Sequence, residues 1–555
     1  MSNKGGFLSN RQVVAVLVGL LMLMGSTTCS LYKHKCVHDT LFPKGQIKPM
    51  PEMTEQEAIR VLQTSDGSSG TSSGSTANDG WHPLRIFIDW TSANALVKST
   101  SSLNSKFQLS VRLINSVKNY FGSVLQANFV PTMRFSGGEC YKSRIASFVR
   151  DIDLYILIHA ENDQSTDYFA AATTCYQSTR DGRPSIGAYI LNFAFLNTAT
   201  LYEYLYFSTF AHEFTHILGF SNDLFTSYVV PGTSRKRSLT EVTTQISISG
   251  KSFTAIKLPE VLDFAKTYYG CNTLTGVPLE DGGGDGSAGS HWEKTFLPNE
   301  YMNPTVENPG IISGFTYSLF RATGWYLTKD GGNQYYDWGL AAGCGFFSSC
   351  PGTADYCSSS TNNRDVCGAS PTAKGICSGS SDFSGTCGYL RNKEHSCLIS
   401  GVFQLQSNEV YGAGSRCINY KTSTGLYTTR CLPVTCSGSS LQIKVGTQTI
   451  TCSESDGASS ALKAVGDSTY QLECPVTTRY CTQLTTACPN DCNAKGLCTL
   501  NKQCFCYTGW SGTDCSQSVP IDYNTELSQG TVASSNIWVF SFAAVLTFLS
   551  VSVSL

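Results

Sequence analysis

The chain has 555 residues, which at about 150 residues per domain predicts three or four folding units. Its formal net charge is −2 and no run of basic residues occurs, so nothing points to nucleic acid or an anionic membrane surface as a partner. The hydrophobic content of 41% is too low for a protein with several membrane spans.

Cysteine is the most informative residue type. The chain has 24 cysteines, and 19 of them lie from Cys344 onward with few histidines nearby. Such a density indicates disulfide bonds rather than zinc ribbons, so we expect an oxidising compartment.

The first 28 residues are typical of a secretory signal peptide. Lys4 and Arg11 precede an apolar run over 13–24, which is too short to span a bilayer, and small residues follow. Residues 29–80 are predicted to be a pro-segment and linker. The linker, over 64–80, consists largely of Gly, Ser and Thr and should be flexible.

The globular part of the chain is predicted to begin near residue 81 and to mix helices with strands. We expect a strand over 84–90, an amphipathic helix over 106–121, a buried strand over 153–159 and a long helix over 199–218 that Gly219 ends. A loop-rich stretch is predicted to follow, as far as residue 286.

Residues 212–216 read His-Glu-Phe-Thr-His, which is the H-E-x-x-H pattern within the long predicted helix. Positions i and i+4 share a helix face, so His212 and His216 can both reach one metal ion, about 2.0–2.1 Å away for zinc. Glu213 can then take a proton from a water molecule that the metal activates. Two surface histidines on an amphipathic helix are the alternative interpretation.

A catalytic zinc site needs a third protein ligand and one open position, whereas four protein ligands close a structural site. The short metzincin pattern would place the third histidine at position 222, which is Asn here. His291 is the best candidate, because it follows a glycine-rich loop and precedes Met302, where a Met-turn is expected. His159 is the rival, although it ends a predicted buried strand.

Several stretches together resemble the leishmanolysin family, surface metallopeptidases of kinetoplastids with relatives in ciliates and animals. A long insertion between the second and third zinc histidines distinguishes that family. The likeness extends from about Cys36 to Cys481, and it is carried by residues 172–175, 181–184, 212–220 and 289–293, by Met302 and by residues 338–350.

The resemblance implies an α+β fold, with a zincin/metzincin catalytic domain over 81–340 that contains an insertion over 220–290. It implies one Zn2+ per chain, Glu213 as the general base and then proton donor to the leaving amine, and a cell-surface endopeptidase that acts on proteins or peptides. The implied metal ligands and Met-turn residue are His212, His216, His291 and Met302.

The resemblance also implies a cysteine switch. The family's pro-segment carries a cysteine in a His-x-Cys-x-His-Asp context, matched here by His34, Cys36, His38 and Asp39. A thiolate is a good zinc ligand, so Cys36 is expected to fill the open zinc position and keep the uncleaved chain inactive. The alternative is that Cys36 pairs with another cysteine. Without Cys29 and Cys36, an even number of 22 cysteines remains for pairing.

A Cys-rich domain is predicted over 341–487, followed by a module over 488–515 that resembles an EGF-like module. The module's cysteines, with the spacing C-x3-C-x5-C-x5-C-x-C-x8-C, are Cys488, Cys492, Cys498, Cys504, Cys506 and Cys515. The sequence does not fix their pairing. The module could bind an extracellular ligand, and a catalytically silent adhesion or receptor protein is the alternative function. The intact Glu213 argues against that alternative.

The last residues are predicted to direct a lipid anchor. Residues 516–536 would form a stalk with an attachment site at Ser528 or, as a second candidate, Asn524. Residues 537–555 are an apolar tail without charge, which fits a removed glycosylphosphatidylinositol signal better than a transmembrane helix, because no Lys or Arg follows it. We therefore expect the protein on the outer face of the plasma membrane.

Overall fold

The computed structural model describes residues 46–51, 53–64, 80–128, 132–166, 168–282, 287–305, 307–348, 356–357, 364–378, 388–402, 408–466 and 469–528. The predicted signal peptide, Cys36, most of the linker and the apolar tail lie outside the described residues. No helix within the described ranges is both long and apolar enough to cross a bilayer.

The structure has a mixed α and β composition. The helices are α1 (Glu55–Thr64), α2 (Thr91–Ser99), α3 (Asn104–Val124), α4 (Glu203–Leu218), α5 (Leu239–Val242), α6 (Pro259–Tyr269), α7 (Gly314–Ala322), α8 (Gly345–Ser348), α9 (Glu454–Ala458), α10 (Thr477–Thr486) and α11 (Tyr523–Ser528). The strands of the first half are β1 (Lys48–Pro49), β2 (Trp81–Pro83), β3 (Ile86–Asp89), β4 (Leu125–Asn128), β5 (Met133–Phe135), β6 (Gly138–Cys140), β7 (Ser143–Ile145), β8 (Phe148–Arg150), β9 (Leu154–Glu161), β10 (Ala170–Gln177), β11 (Pro184–Asn192), β12 (Thr243–Ile248), β13 (Lys251–Ile256) and β14 (Val277–Pro278).

The strands of the second half are β15 (Tyr326–Thr328), β16 (Tyr356–Cys357), β17 (Asp365–Cys367), β18 (Ala373–Ser378), β19 (Gly388–Ser396), β20 (Ser415–Thr422), β21 (Tyr427–Ser437), β22 (Ser440–Val445), β23 (Gln448–Cys452), β24 (Leu462–Lys463), β25 (Tyr470–Glu473), β26 (Gly496–Cys498), β27 (Cys504–Cys506), β28 (Trp510–Ser511) and β29 (Gln517–Ser518).

A five-stranded sheet lies in the region predicted to be catalytic, in the order β1-β10-β11-β9-β3. Strands β3, β9 and β11 are parallel, and β10 is antiparallel to β11. Strand β9 begins with five consecutive buried residues, an apolar run that suits a strand covered on both faces. Strand β1 belongs to the predicted pro-segment and lies on the outer side of β10.

Two long helices, α3 and α4, pack against each other, and α4 also packs against β10 and β11. Both were predicted, and the structure adjusts their ends: α3 runs over Asn104–Val124, and α4 begins at Glu203 after a 3-10 turn at Thr200–Tyr202. Their apolar faces meet in the main core, where the Phe121 and Phe214 rings stack with centroids 6.3 Å apart.

The insertion is more regular than the sequence suggested. The prediction of a loop-rich stretch is wrong for much of residues 239–278, which contain α5, the β12–β13 hairpin, α6 and β14. Ser249 and Gly250 join the two hairpin strands with φ angles of 49° and 82°, a two-residue turn whose twist matches that of the strands. Each hairpin strand has only six residues and carries several polar side chains, so its apolar signal is weak.

The C-terminal region is rich in disulfides, as predicted. It contains a four-stranded sheet (β16-β19-β18-β17) and a six-stranded sheet (β23-β22-β21-β20-β25-β24). The bridges between described cysteines are Cys140–Cys175, Cys271–Cys344, Cys367–Cys417, Cys397–Cys431, Cys436–Cys481, Cys452–Cys474, Cys488–Cys498, Cys492–Cys504 and Cys506–Cys515. The last three bridges and the pairs β26–β27 and β28–β29 define a compact unit over 488–518, which we call the three-disulfide module.

Candidate metal centre

Helix α4 carries His212, Glu213 and His216 and is buried along nearly its whole length. The helix ends at Gly219, whose φ of 145° is open to glycine and strained for other residues. The Gly219 N–H donates to the carbonyl oxygens of Thr215 and His216, which closes the last turn. The chain therefore folds back directly after the second histidine.

Three imidazoles converge at the end of this helix. The Nε2 atom of His212 lies 3.0 Å from Nε2 of His216 and 3.2 Å from Nε2 of His291. All three side chains are at most 6% exposed, and their ring centroids are 4.7 to 5.1 Å apart. The structure thus brings together the three histidines that the sequence singles out, although His291 is 75 residues beyond His216.

Backbone carbonyls fix the tautomer of each ring. The Nδ1 atoms lie 2.6 Å from Tyr301 O for His212, 2.7 Å from Phe220 O for His216 and 2.8 Å from Ser287 O for His291. A carbonyl oxygen can only accept, so each Nδ1 carries the proton and each Nε2 presents a lone pair to the other two rings.

This donor set fits a metal ion. Three converging lone pairs repel one another unless a cation lies among them. Ligand distances of about 2.0–2.1 Å around a tetrahedral Zn2+ would separate the nitrogens by about 3.3 Å, close to the observed spacing. Three protein ligands leave one position open, which is the pattern of catalytic rather than structural zinc sites.

Glu213 is fully buried and follows His212 directly. Burial raises the pKa of its carboxyl group well above the usual range, although a hydrogen bond from the Ala172 backbone N–H acts in the opposite direction. The same hydrogen bond ties the carboxylate to strand β10. A carboxylate in this environment is a stronger proton acceptor than one in water, which suits a general base.

The segment that carries His291 is held by backbone pairing. The Glu280 N–H donates to the His291 carbonyl (3.0 Å), and the Glu293 N–H donates to the Pro278 carbonyl (3.0 Å). The Ser290 hydroxyl accepts from the Asn222 N–H, just beyond the end of α4. The insertion therefore folds back, so that its last residues lie next to the C-terminal end of α4.

Met302 lies fully buried in the turn predicted for it. Its carbonyl accepts from the N–H of Trp292, the residue after His291 (3.0 Å). The neighbouring Tyr301 accepts from His212 through its carbonyl, and its hydroxyl is 2.7 Å from the Thr215 hydroxyl. The turn thus contacts both segments that carry metal-ligand candidates.

The rival histidine has different neighbours. His159 lies on β9, with Nδ1 3.2 Å from the Ser143 hydroxyl and Nε2 3.6 Å from the Glu161 carboxylate. Its ring packs edge-on against Tyr141. These contacts are those of a hydrogen-bonded histidine on the sheet, as its position at the end of a predicted buried strand suggests.

A second group of possible ligands, Glu280, Asp281 and Glu293, adjoins the His291 segment. Glu280 accepts from the backbone N–H groups of Gly282 (2.6 Å) and Lys294 (3.2 Å). Asp281 pairs with Lys251 at 2.9 Å. These contacts are those of a hydrogen-bonded turn that supports His291, rather than of a second metal site.

The fold and this centre fit a class: three histidines that could hold one metal ion beside a buried carboxylate, an arrangement that hydrolytic metalloenzymes use. Residues 136–379, which include all four polar residues of the site, match the family model described as leishmanolysin. This match agrees with the family resemblance that the sequence motifs suggest, and it supports a metallopeptidase.

Individual relatives point the same way. The chain is 32% identical over 195 residues to leishmanolysin of Leishmania tropica, which covers 35% of this chain and 28% of that protein. It is 30% identical over 216 residues to the leishmanolysin-like peptidase of Drosophila melanogaster, and that alignment covers 34% of this chain and 32% of the Drosophila protein. A leishmanolysin homolog of Crithidia fasciculata is 28% identical over 194 residues, covering 35% and 28%. The chain thus spans about a third or less of the length of these relatives.

Some groups of the site were not foreseen. The Ala172 N–H and the carbonyls of Tyr301 and Ser287 act through the backbone, so no side-chain pattern reveals them. Cys36 lies outside the described residues, and Ser528 is the last residue of α11. The six cysteines of the predicted EGF-like module form the three bridges of the three-disulfide module.

Proposed function

We propose that this chain is a metzincin-type zinc endopeptidase that hydrolyses peptide bonds in proteins or peptides. The observation that carries the proposal is the convergence of the Nε2 atoms of His212, His216 and His291 beside the buried Glu213. The family match over 136–379 supports it.

The residues would divide the chemistry as follows. Zn2+ held by the three histidines would polarise the scissile carbonyl and lower the pKa of a water molecule. Glu213 takes a proton from the attacking water and passes it to the leaving amine. The carbonyls that accept from each Nδ1 keep the rings oriented, and the fully buried Met302 would serve as the structural residue of its turn.

Strand β10 is a suitable platform for an extended peptide. One edge of β10 pairs with β11. The backbone N–H of Ala172 in β10 donates a hydrogen bond to the Glu213 carboxylate. On the outer side of β10, the described pairing is with β1 at Tyr176 and Gln177. We infer that a substrate runs along this edge of β10 in an extended conformation, with its scissile bond beside Glu213.

The pro-segment occupies part of that same strand edge. Lys48 and Pro49 pair in parallel with Tyr176 and Gln177, and the Met50 N–H donates to the Gln177 carbonyl (2.9 Å). Buried Met53 and Ala58 anchor the segment further. We infer that the uncleaved chain is a zymogen in which the Cys36 thiolate fills the open metal position, while β1 holds the pro-segment against β10 next to the proposed substrate positions.

We also propose that the protein is displayed outside the cell. The bridges of the C-terminal region require an oxidising compartment. A lipid anchor attached at Ser528, or at Asn524, would place the catalytic region beside the membrane. The three-disulfide module has the cysteine spacing and the paired short strands expected of an EGF-like module, which supports that identity.

The direct test is digestion of a peptide library by the purified protein after removal of the pro-segment. We expect internal cleavage of many peptides, loss of cleavage when a chelator removes zinc, and recovery on adding Zn2+. Cleavage that persists in the fully chelated protein would contradict the proposal. A library left intact by zinc-loaded protein would favour the silent adhesion or receptor function.

A further inference from the structure

Helix α3 carries a polar face that is buried instead of facing water. Arg112, Asn115 and Ser116 stand at positions i, i+3 and i+4, and Lys118 lies beside them. All four are at most 9% exposed. The polar face of an amphipathic helix normally faces solvent, so another part of this molecule must cover it.

The cover is the three-disulfide module together with α11. The Thr508 N–H donates to the Ser116 hydroxyl (2.8 Å), and the two hydroxyls of these residues are 3.1 Å apart. The Asn115 side-chain amide donates to the Glu526 carboxylate (2.7 Å). Such paired polar contacts mark a specific docking surface rather than a chance collapse.

The same module reaches the helix that carries the metal-ligand candidates. Tyr507 is fully buried and stacks on Phe207 of α4, with ring centroids 4.5 Å apart and planes 18° apart. Phe207 precedes His212 by five residues, about 7.5 Å along the helix axis. Glu203, in the first turn of α4, pairs with Arg112 of α3 near this tyrosine.

Further contacts fix the module on other sides. Its Leu500 N–H donates to the Asn333 carbonyl (2.8 Å), and its Asp491 pairs with buried Arg416 of the six-stranded sheet (3.2 Å). The bridge between Cys506 and Cys515 encloses Tyr507 and Thr508, which limits the freedom of the contacting loop.

We propose that the three-disulfide module clamps α3 against α4 and so keeps the metal-binding helix in position, with Tyr507 as its positioning residue. The module then acts within the enzyme, and its docking face is not available to an extracellular ligand. The kinetic part of this inference rests on the proposed peptidase function, whereas the structural part does not.

The test compares Tyr507→Ala, Tyr507→Phe and Ser116→Ala in the full chain. Tyr507→Ala removes the ring that packs on Phe207, while Tyr507→Phe keeps it and serves as the matched control. Ser116→Ala deletes the hydrogen bonds to Thr508 without touching α4 directly. The measurements are amide hydrogen exchange over 203–218, the rate of zinc transfer to a chelator, and kcat and KM on a cleaved peptide.

For Tyr507→Ala we expect at least tenfold faster exchange in α4, at least tenfold faster zinc transfer and at least a tenfold lower kcat, with KM changed less than twofold. Tyr507→Phe should match the wild type, and Ser116→Ala should show a smaller change in the same direction. If Tyr507→Ala does not fold, the Ser116→Ala result decides.

Exchange and zinc transfer that stay at wild-type values in both Tyr507→Ala and Ser116→Ala would overturn the clamp. If the wild type cleaves no peptide, the peptidase proposal fails, but exchange over 203–218 still tests the clamp separately.

Discussion

At the scale of single residues, the site depends on hydrogen bonds from the histidine rings to backbone carbonyl oxygens. Each of the three histidines donates Nδ1–H to a carbonyl, and those carbonyls come from the turn at Met302, the end of α4 and the loop before His291. The rings are therefore oriented before any metal arrives. Such preorganisation reduces the cost of ordering the ligands around the ion.

The H-E-x-x-H spacing was enough to identify His212, Glu213 and His216, because an i, i+4 pair on a helix has little conformational choice. His291 could be preferred over His159 because of its position before Met302, but no fixed spacing from His216 specifies it, since the fold and not a local pattern brings it close. The backbone groups that support the site leave no trace in the residue types.

Asp153 is a residue whose charge should matter for stability. It is fully buried and bonds to His82 and Arg85. Burial acts to raise the pKa of Asp153, but the hydrogen bonds from His82 and Arg85 and the charges of Arg183 and Arg85 outweigh it and hold that pKa well below its usual range. A depressed pKa means that the ionised form stabilises the fold fully above the unfolded pKa of about 3.9, and that this contribution is lost progressively as pH falls from there through the lower folded pKa.

We expect Asp153→Asn to lower the free energy of unfolding at pH 7 by about 3 kcal/mol, because it leaves the buried Arg183 and the partly buried Arg85 without their anion. The difference from the wild type should shrink at pH 3. Urea unfolding at both pH values measures it, with exposed Asp151→Asn as the control. An equal loss at both pH values would show that the charge of Asp153 does not stabilise the fold.

At the scale of elements, the approach of α4 to the sheet depends on one glycine. A Cβ at Gly187 of β11 would lie 2.6 Å from Ile217 Cγ2 and 2.9 Å from the Thr173 carbonyl oxygen. Both distances are shorter than side chains tolerate, so any larger residue must push the helix away from β10 and β11. Ile217 directly follows His216, and the displacement would therefore reach the metal centre.

We expect Gly187→Ala to lower the free energy of unfolding by about 1–3 kcal/mol and to weaken zinc retention. Thermal or urea unfolding and the zinc content after dialysis give the two readouts. Gly345→Ala is the matched control, because its added Cβ meets no atom within 4 Å. If Gly187→Ala is as stable as the wild type, the close contact between Gly187 and Ile217 does not set the distance between α4 and the sheet.

The pro-segment is the second element with a testable role. If Cys36 fills the open metal position, Cys36→Ser should make the uncleaved chain active, although β1 remains paired with β10. Peptide hydrolysis by the purified pro-form measures this, and the double variant Cys36→Ser, Glu213→Gln should stay silent. An inactive Cys36→Ser pro-form would assign latency to the strand pairing or to a disulfide instead.

Regular elements with strong periodicity were predictable, whereas the insertion was not. Helices α3 and α4 and strand β9 carry long apolar patterns that only one type of element satisfies. The β12–β13 hairpin is short, and polar residues occupy much of both strands, so composition suggested a loop. A strand pattern of six residues is easily missed when the neighbouring sequence has the composition of a loop.

At the scale of the whole molecule, the three-disulfide module is bound to the helices α3 and α4. Ser116 and Thr508 are 392 positions apart in sequence yet share two hydrogen bonds. The sequence indicates which cysteines belong to the module, but the face on which it docks follows from tertiary packing alone. The polar residues of α3 would have suggested solvent at that face.

The lipid anchor is a prediction for the whole protein. Helix α11 ends at Ser528 and packs on α3 through Glu526, so an anchor at this residue would hold the catalytic region close to the membrane. Treatment of intact cells with a phosphatidylinositol-specific phospholipase C should release the active protein into the medium. Retention on the cells, with a mature C-terminus at Leu555, would identify the tail as a membrane span.

The central claim is that Glu213 acts as the general base at a zinc centre formed by three histidines. The most direct measurement combines zinc content with peptide hydrolysis for activated wild type, Glu213→Gln and His291→Ala. We predict about one zinc per chain in wild type and Glu213→Gln, with hydrolysis by the latter reduced by a factor of about 10²–10⁴ or more. His291→Ala should lose both zinc and activity. Normal hydrolysis by Glu213→Gln, or full zinc retention by His291→Ala, would contradict the assignment.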